Sequence, residues 1–396
     1  MKIVVIAPNV SENLSGEAIK AFQYITHMLA NGDDVTLLTH ARSRGHLDRF
    51  PDMLAVRFVE DGFWQKFFWR SRVLRSLVDV PFFLAVRKII EGVYAEAPET
   101  VFHFLGPVSP IIPRFPVRES KSVLGPITGN IYYPPALRSR EPFQLSVRRV
   151  LHSIAQRGVG MALNDKAGFD RILISGGERT RQSMKWAGAS DAQMRDVFDS
   201  GVSDKIMTLS KISHTGVNHR FAATGRLVPH KGVDLAIRAV AKTKTPVTLD
   251  IFGSGPEETH LQALIDELGV GERVKLRGWL PSHDDLISEL RNYRGYVFPS
   301  MAEANGIVIQ EGLAMGLPVI CLNWGGPTLL TTDATAIRID PGSDDEIVAA
   351  LADQMDRLAE DPEFAAQLSD NGFEAARKNF SWGAVSEQWR RAFTDL

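Results

Sequence analysis

The chain has 396 residues, with 45 Lys and Arg against 47 Asp and Glu and a formal charge of −2. Its 44% apolar and 23% charged content is that of a globular protein and excludes a disordered or collagen-like one. The length exceeds one ordinary core, so two domains are expected.

Cys321 is the single cysteine, which rules out an intrachain disulfide or a cysteine cluster and suits a reducing compartment. The opening Met1-Lys2-Ile3-Val4-Val5-Ile6-Ala7 reads as a strand rather than a signal peptide. No run approaches the ~18 apolar residues that a spanning helix needs. A cytoplasmic protein is expected. Residues 1–215 hold 28 Lys and Arg against 21 Asp and Glu, whereas residues 216–396 hold 17 against 26. A basic half beside an acidic half suits an N-terminal domain that meets something anionic, or it is drift without purpose.

Strand-like runs in the first half fall at 3–7, 35–38, 101–104 and 171–175. A helix is expected over 17–30, where Ile19, Phe22, Ile25, Met28 and Leu29 share a face. His103 lies in Val101-Phe-His-Phe-Leu-Gly106-Pro107 at a strand exit, where parallel sheets collect ligands. A lone His flanked by apolar residues is otherwise a satisfied core histidine. Gly125-Pro126-Ile-Thr-Gly129-Asn130 reads as a second such exit.

Residues 63–88 interleave aromatics with bases: Lys66, Arg70, Arg72, Arg75, Arg87 and Lys88 face only Asp79. Residues 148–157 form a further basic helical stretch. Such segments suit the headgroup region of an anionic membrane. The alternative is a pair of helices packing their aromatics in the core. Nucleic acid is not an expected partner, since no reader motif is present and the second half is acidic.

Strands in the second half are expected at 221–224, 247–252, 274–276, 296–298 and 319–322. Alternating strand and helix argues for parallel doubly wound sheets, here two. The first strand leads to Gly225-Arg226 and then Lys231-Gly232 before a helix. Arg binds two phosphate oxygens at once and Lys supplies a compact charge, so this order suits a diphosphate. The bland alternative is two surface bases beside a turn. Gly253-Ser-Gly255-Pro256 follows the next strand, and its glycines serve a ligand approach or a tight turn. A dinucleotide fingerprint is excluded, because its third glycine is missing.

Glu303-Ala-Asn305-Gly306-Ile307-Val-Ile-Gln-Glu311 puts one carboxylate in a loop at a helix mouth and another about two turns inside. A helix N-terminus with a close-approach glycine is an anion site. The flanking carboxylates could hold sugar and ribose hydroxyls, or belong to a solvated helix. No Asp-x-Asp motif of a metal-dependent transferase occurs.

These pieces, with Gly278-Trp279, Phe298-Pro299-Ser300, Pro318 and Gly325-Gly326, resemble the family 4 retaining glycosyltransferases of GT-B fold. The resemblance covers residues 220–330 well and the first half loosely. It implies an α/β protein with two Rossmann-like domains facing a central cleft: 1–215 for the acceptor, 216–378 for a nucleotide sugar, and 379–396 returning as a helix to the first domain. It implies that Arg226 and Lys231 neutralise the leaving diphosphate and that Glu303 contacts the donor sugar. The amides of Asn305, Gly306 and Ile307 would lie against sugar and phosphate, and Glu311 would hold the ribose. Gly225, Gly253 and Gly255 would line the donor site. Gly16, in Ser15-Gly16-Glu17, would approach the phosphates from the first domain, and His103 would stand near the acceptor.

The expected reaction is hexosyl transfer from a UDP- or GDP-linked sugar, with retention and without a metal or other cofactor. The acceptor would be a glycan or polyprenyl-diphosphate-linked glycan, with the enzyme peripheral on the inner membrane face. A non-catalytic nucleotide-sugar-binding subunit is the rival. Three positions depart from the family pattern: Asn305 where an aromatic is common, Gly312 where Ala is usual, and Pro327 directly after Gly325-Gly326.

Overall fold

A computed structural model of the chain describes residues 1–12, 16–47, 50, 54–71, 77–129, 132–394 and 396. Ser15, Arg72, Arg75 and Asn130, all named above, lie outside the described residues. The chain divides into two compact units, one of residues 1–130, 147–200 and 382–396, the other of residues 131–146 and 201–381. The division thus falls at 200 and 381 rather than at 215 and 378, and 131–146 leaves the first unit for the second.

The first unit is built on β1 (Lys2–Ile6), β2 (Asp34–His40), β3 (Ala55–Val59), β4 (Val101–Phe104), β5 (Lys121–Ile127), β6 (Arg171–Ile174) and β7 (Met194–Asp196). They form one sheet in the order β3-β2-β1-β4-β5-β6-β7, and every pairing is parallel. Its main helices are α1 (Gly16–Ala30), α2 (Phe63–Arg70), α3 (Val80–Glu96), α4 (Phe143–Leu163, its first turn grouped with the second unit) and α5 (Glu178–Trp186).

Both faces of this sheet are covered, so its central strands are apolar throughout rather than alternating. Ile3 and Val5 of β1 point to the cluster holding Ile25 and Met28 of α1, while Val4 and Ile6 meet Phe82, Phe83 and Val86 of α3. The C-terminal helix Trp382–Arg391 joins the α1 side. There Trp389 is fully buried and its indole N–H donates to the Phe198 carbonyl at 2.8 Å.

The second unit holds β8 (Arg220–Thr224), β9 (Thr248–Phe252), β10 (Val274–Gly278), β11 (Gly295–Phe298), β12 (Val319–Leu322) and β13 (Ile337–Ile339). Its sheet, again parallel, runs β10-β9-β8-β11-β12-β13. The helices are α6 (Asp204–Met207), α7 (Val233–Lys242), α8 (Glu258–Glu267), α9 (His283–Leu290), α10 (Ile307–Met315), α11 (Pro327–Leu330), α12 (Asp344–Glu360) and α13 (Pro362–Asn379). Tyr133 and Leu137, from the borrowed segment, are part of this unit's core. Burial lifts the Cys321 thiol to about 12, so it stays protonated and inert.

The strand order reverses between β1 and β4 in the first sheet and between β8 and β11 in the second. Loops leaving the carboxyl ends of such a strand pair diverge to opposite faces and leave a crevice for ligands. In the second unit those loops are 225–232 and 299–306. They are the segments that carry the expected basic and acidic residues.

Candidate functional site

The loop after β8 is held by backbone contacts that only glycine permits. Gly253 sits at φ +143°, and a Cβ there would lie 1.9 Å from the Gly225 carbonyl oxygen. A Cβ on Gly255 would lie 2.2 Å from the Leu227 oxygen. The Gly225 amide donates to Phe252 O at 2.9 Å and the Leu227 amide to Ser254 O at 2.9 Å. The pair Gly253 and Gly255, expected to face a ligand or a tight turn, therefore lets the turn after β9 press on the loop that carries Arg226. Arg226 itself is exposed between these two contacts.

Gly232 closes the other side. It adopts φ +64°, and a Cβ would lie 2.4 Å from the Pro299 oxygen, so the exit loops of β8 and β11 touch there. The Met301 amide donates to His230 O at 2.8 Å. These contacts bring Lys231 to the Glu303 loop, where Lys231 Nζ meets Glu303 Oε2 at 2.5 Å. Both side chains are about one-fifth exposed, and Lys231 Nζ also lies 5.2 Å from the Phe298 ring centre. Beneath them the Tyr296 and Thr224 hydroxyls are 2.7 Å apart, tying β11 to β8. Burial pushes the neighbouring His230 below its ordinary value, aided by Lys231.

α10 starts from Gly306 at φ +84° and stops at Gly316 at φ +74°. The amides of Ile307 and Val308 precede the first intrahelical bond, from Ile309 N to Gly306 O at 2.9 Å. They thus have no intrahelical acceptor and lie at the positive end of the helix dipole, at the mouth of the crevice. The Glu303 loop is fixed from behind by Gly326. Its amide donates to Glu303 O at 2.9 Å, and a Cβ there would meet the carbonyls of Ala304 and Asn305 at 2.6 Å. This explains Gly326 without reference to the residue that follows it.

Glu311 lies deeper in α10 and is 13% exposed. Its Oε1 is 3.2 Å from Nε2 of His283, the first residue of α9. The hydrogen bond to Glu311 raises the His283 pKa, with further attraction from Glu311 and Asp284 outweighing burial and Lys205. Sequence reasoning missed His283. The available signal was the N-cap before it: the Ser282 hydroxyl accepts from the Asp285 amide at 3.1 Å, fixing the start of α9.

The structure thus gathers Arg226, Lys231, Glu303, Asn305, Gly306, Ile307 and Glu311 around one crevice of the second unit, with Gly225, Gly253 and Gly255 behind it. Gly16 opens α1 in the first unit, and no atom lies within 4 Å of a Cβ built there. His103 is a correction. It has no exposed surface; its Nε2–H donates to Gly125 O at 2.7 Å and its Nδ1 accepts from the Tyr24 hydroxyl at 3.1 Å. Burial lowers its pKa to about 4, so it is a neutral core histidine and cannot touch an acceptor.

A twin-sheet α/β protein with a basic, glycine-built crevice at a strand reversal has the frame of a nucleotide-binding protein. The family model of the glycosyl transferases group 1 matches residues 214–375 of this chain. The chain is 34% identical over 173 residues to the lipopolysaccharide core biosynthesis glycosyltransferase LpsD of Rhizobium meliloti, covering 43% of this chain and 47% of that one. It is 31% identical over 195 residues to a GDP-mannose-dependent phosphatidylinositol monomannoside mannosyltransferase of Corynebacterium glutamicum, covering 47% and 49%. The chain spans about half the length of the curated relatives it matches. The fold is that of Anabaena HepE crystallised with UDP, at TM-score 0.64 and 18% identity over 100% of both chains. It is therefore GT-B.

Proposed function

We propose that this protein transfers a hexose from a UDP- or GDP-linked sugar to a hydroxyl of a glycan or lipid-linked glycan, with retention and without a metal ion. The observation that carries the reading is the Lys231–Glu303 contact at the mouth of the crevice, with Arg226 on the same loop. As the bond from the sugar carbon to the phosphate oxygen breaks, negative charge grows on the departing diphosphate. Arg226 and Lys231 stabilise that charge, and the first amides of α10 add fixed positive dipole. Glu303 accepts hydrogen bonds from sugar hydroxyls while orienting Lys231. Glu311, steadied by His283, accepts from the ribose hydroxyls. The first domain binds the acceptor.

A lipid-linked acceptor is supported by two outward apolar faces. α2 exposes Phe63, Trp64 and Phe67, and buries only Gln65. On α4 the residues Phe143, Val147, Val150, Leu151, Ile154 and Met161 follow helical spacing and are all exposed, while Gln156 and Gly160 face inward. Arg148 and Arg157 flank that stripe. Among the described residues no helix is long and apolar enough to cross a membrane, so these faces suit an enzyme lying on an anionic inner leaflet.

A thermal-shift screen against UDP-, GDP- and ADP-sugars tests the donor, because a ligand stabilises in proportion to its occupancy. One nucleotide sugar should raise the melting temperature, and the Arg226→Ala variant should lose most of that rise. No stabilisation by any of them would sink the reading. Pelleting with anionic vesicles that weakens with salt tests the membrane part, and absence of lipid-dependent pelleting would end it.

A further inference from the structure

The first unit has a polar cavity of its own, lined by none of the donor-site residues. It lies at the carboxyl end of β2, under α2, and measures about 400 Å3. Its walls include Arg42, Asp61, Gln65, Lys66, Trp69 and Arg70. That volume falls within the roughly 300–1,000 Å3 of small-molecule sites.

The chemistry of the walls is specific. Behind them His40 is fully buried, and Gln65 Nε2 lies 2.7 Å from its Nε2. Burial, with Arg42 nearby, pushes His40 down to about 3, so the floor is polar but uncharged. Asp61 Oδ1 is buried and finds no hydrogen-bond partner among the described residues, although His40 Nδ1 stands 3.1 Å away. Arg42 is offset by Asp79 only at 4.0 Å. Lys66 and Arg70 are exposed at the rim, and Trp69 offers a half-exposed ring. Among the described residues, three cations (Arg42, Lys66 and Arg70) against two carboxylates (Asp61 and Asp79) favour an anion, and the indole favours the CH face of a sugar ring.

α2 adds direction. Gln65, Lys66 and Trp69 lie on the cavity side of the helix, whereas Phe63, Trp64 and Phe67 are 74%, 61% and 46% exposed on the other. The helix that roofs the cavity is therefore the one whose outer face suits a lipid surface.

We propose that this cavity binds a phosphate-bearing sugar, the anionic end of the acceptor. The proposal rests on the transferase reading above. The ligand is either the headgroup of a lipid-linked glycan or a soluble sugar phosphate, and both present the same chemistry.

The test is fluorine NMR of the 5-fluorotryptophan-labelled full chain, with Trp69 assigned by Trp69→Phe. Glucose 1-phosphate should shift the Trp69 signal saturably. Glucose or inorganic phosphate alone should bind at least about tenfold more weakly, and Arg70→Gln should weaken glucose 1-phosphate about tenfold, as for one charge-assisted hydrogen bond. Polyprenyl-phosphate glucose in phosphatidylcholine vesicles should compete if the source is a lipid headgroup; binding of the soluble phosphate without that competition assigns a soluble source. Should Trp69→Phe fold poorly, the one signal that responds in the parent and saturates about tenfold more weakly in both Arg70→Gln and Lys66→Gln serves instead. No saturable response to glucose 1-phosphate, or a response that Arg70→Gln leaves unchanged, would overturn the proposal. The donor-induced thermal shift is read on the same sample. If it persists while the cavity stays silent, only the cavity proposal fails; if it is absent, the transferase reading fails first.

Discussion

Replacing Gly253 by alanine should damage the donor site from outside it. Two costs combine. The residue is held at φ +143°, where a side chain is strained by about 1–3 kcal/mol. The new methyl would stand 1.9 Å from Gly225 O, so the two backbones would have to part by more than 1 Å to reach 3.0 Å. For a unit of this size each kcal/mol lowers the melting temperature by about 2–4 °C, so a drop of about 4–10 °C is expected. The loop that yields is the one carrying Arg226, and a ~1 Å misplacement of a reacting group costs roughly 10²-fold in rate. Differential scanning fluorimetry with and without nucleotide sugar reads both effects. If Gly253→Ala melted within about 1 °C of the parent and kept its full donor-induced shift, the backbone contact would not be shaping the site as argued.

Two further outcomes follow from the titrating groups. His103 is neutral in the fold, with a pKa near 4 against an ordinary value of 6.5, so the unfolded chain binds the extra proton. Its contribution to stability should be complete above pH 6.5 and fall away towards pH 4; His103→Gln should flatten that part of the melting profile while leaving transfer intact, and a loss of turnover without loss of stability would restore a role at the acceptor. His283 is the opposite case, raised by Glu311, so its ion pair stabilises below its unfolded pKa and is lost as pH rises through the folded one. NMR titration should find the His283 pKa lower in Glu311→Gln than in the parent, and an unchanged value would separate the two residues.

How far the sequence reaches can be judged from particular elements. The central strands β1, β4, β8 and β12 are continuous apolar runs buried on both faces, and such runs declare themselves. The strands that escaped are of another kind. β3 is an edge strand with Ala55 and Arg57 facing outward, while β7 and β13 are edge strands of three residues. β5 contains Gly125-Pro126, which reads locally as a turn, and its ladder shifts register there. The passage of 131–146 into the second unit depends on Tyr133 and Leu137 finding that core, which no local pattern announces.

The candidate site residues could be picked out in the sequence because they come in loops between strand and helix, at fixed spacing. Lys231 and Glu303, expected on the diphosphate and on the donor sugar, are far apart in sequence and touch each other directly, a contact that no spacing announced. The glycines at 253 and 255, expected to serve a ligand approach or a tight turn, admit the backbone of Gly225 and Leu227. His103 shows the limit of a strand-exit rule, since a register position at the end of β4 does not reveal that Tyr24 and Gly125 O close over the ring. His283 was invisible because its partner, Glu311, arrives from another helix.

The central claim is that Arg226 and Lys231 supply the positive charge against which the diphosphate leaves. Turnover of purified Lys231→Ala, measured as sugar release from the donor that stabilises the parent, tests it most directly. The account predicts a fall of roughly 10²–10³-fold, the cost of one lost transition-state charge contact. Near-normal turnover in that variant would contradict it.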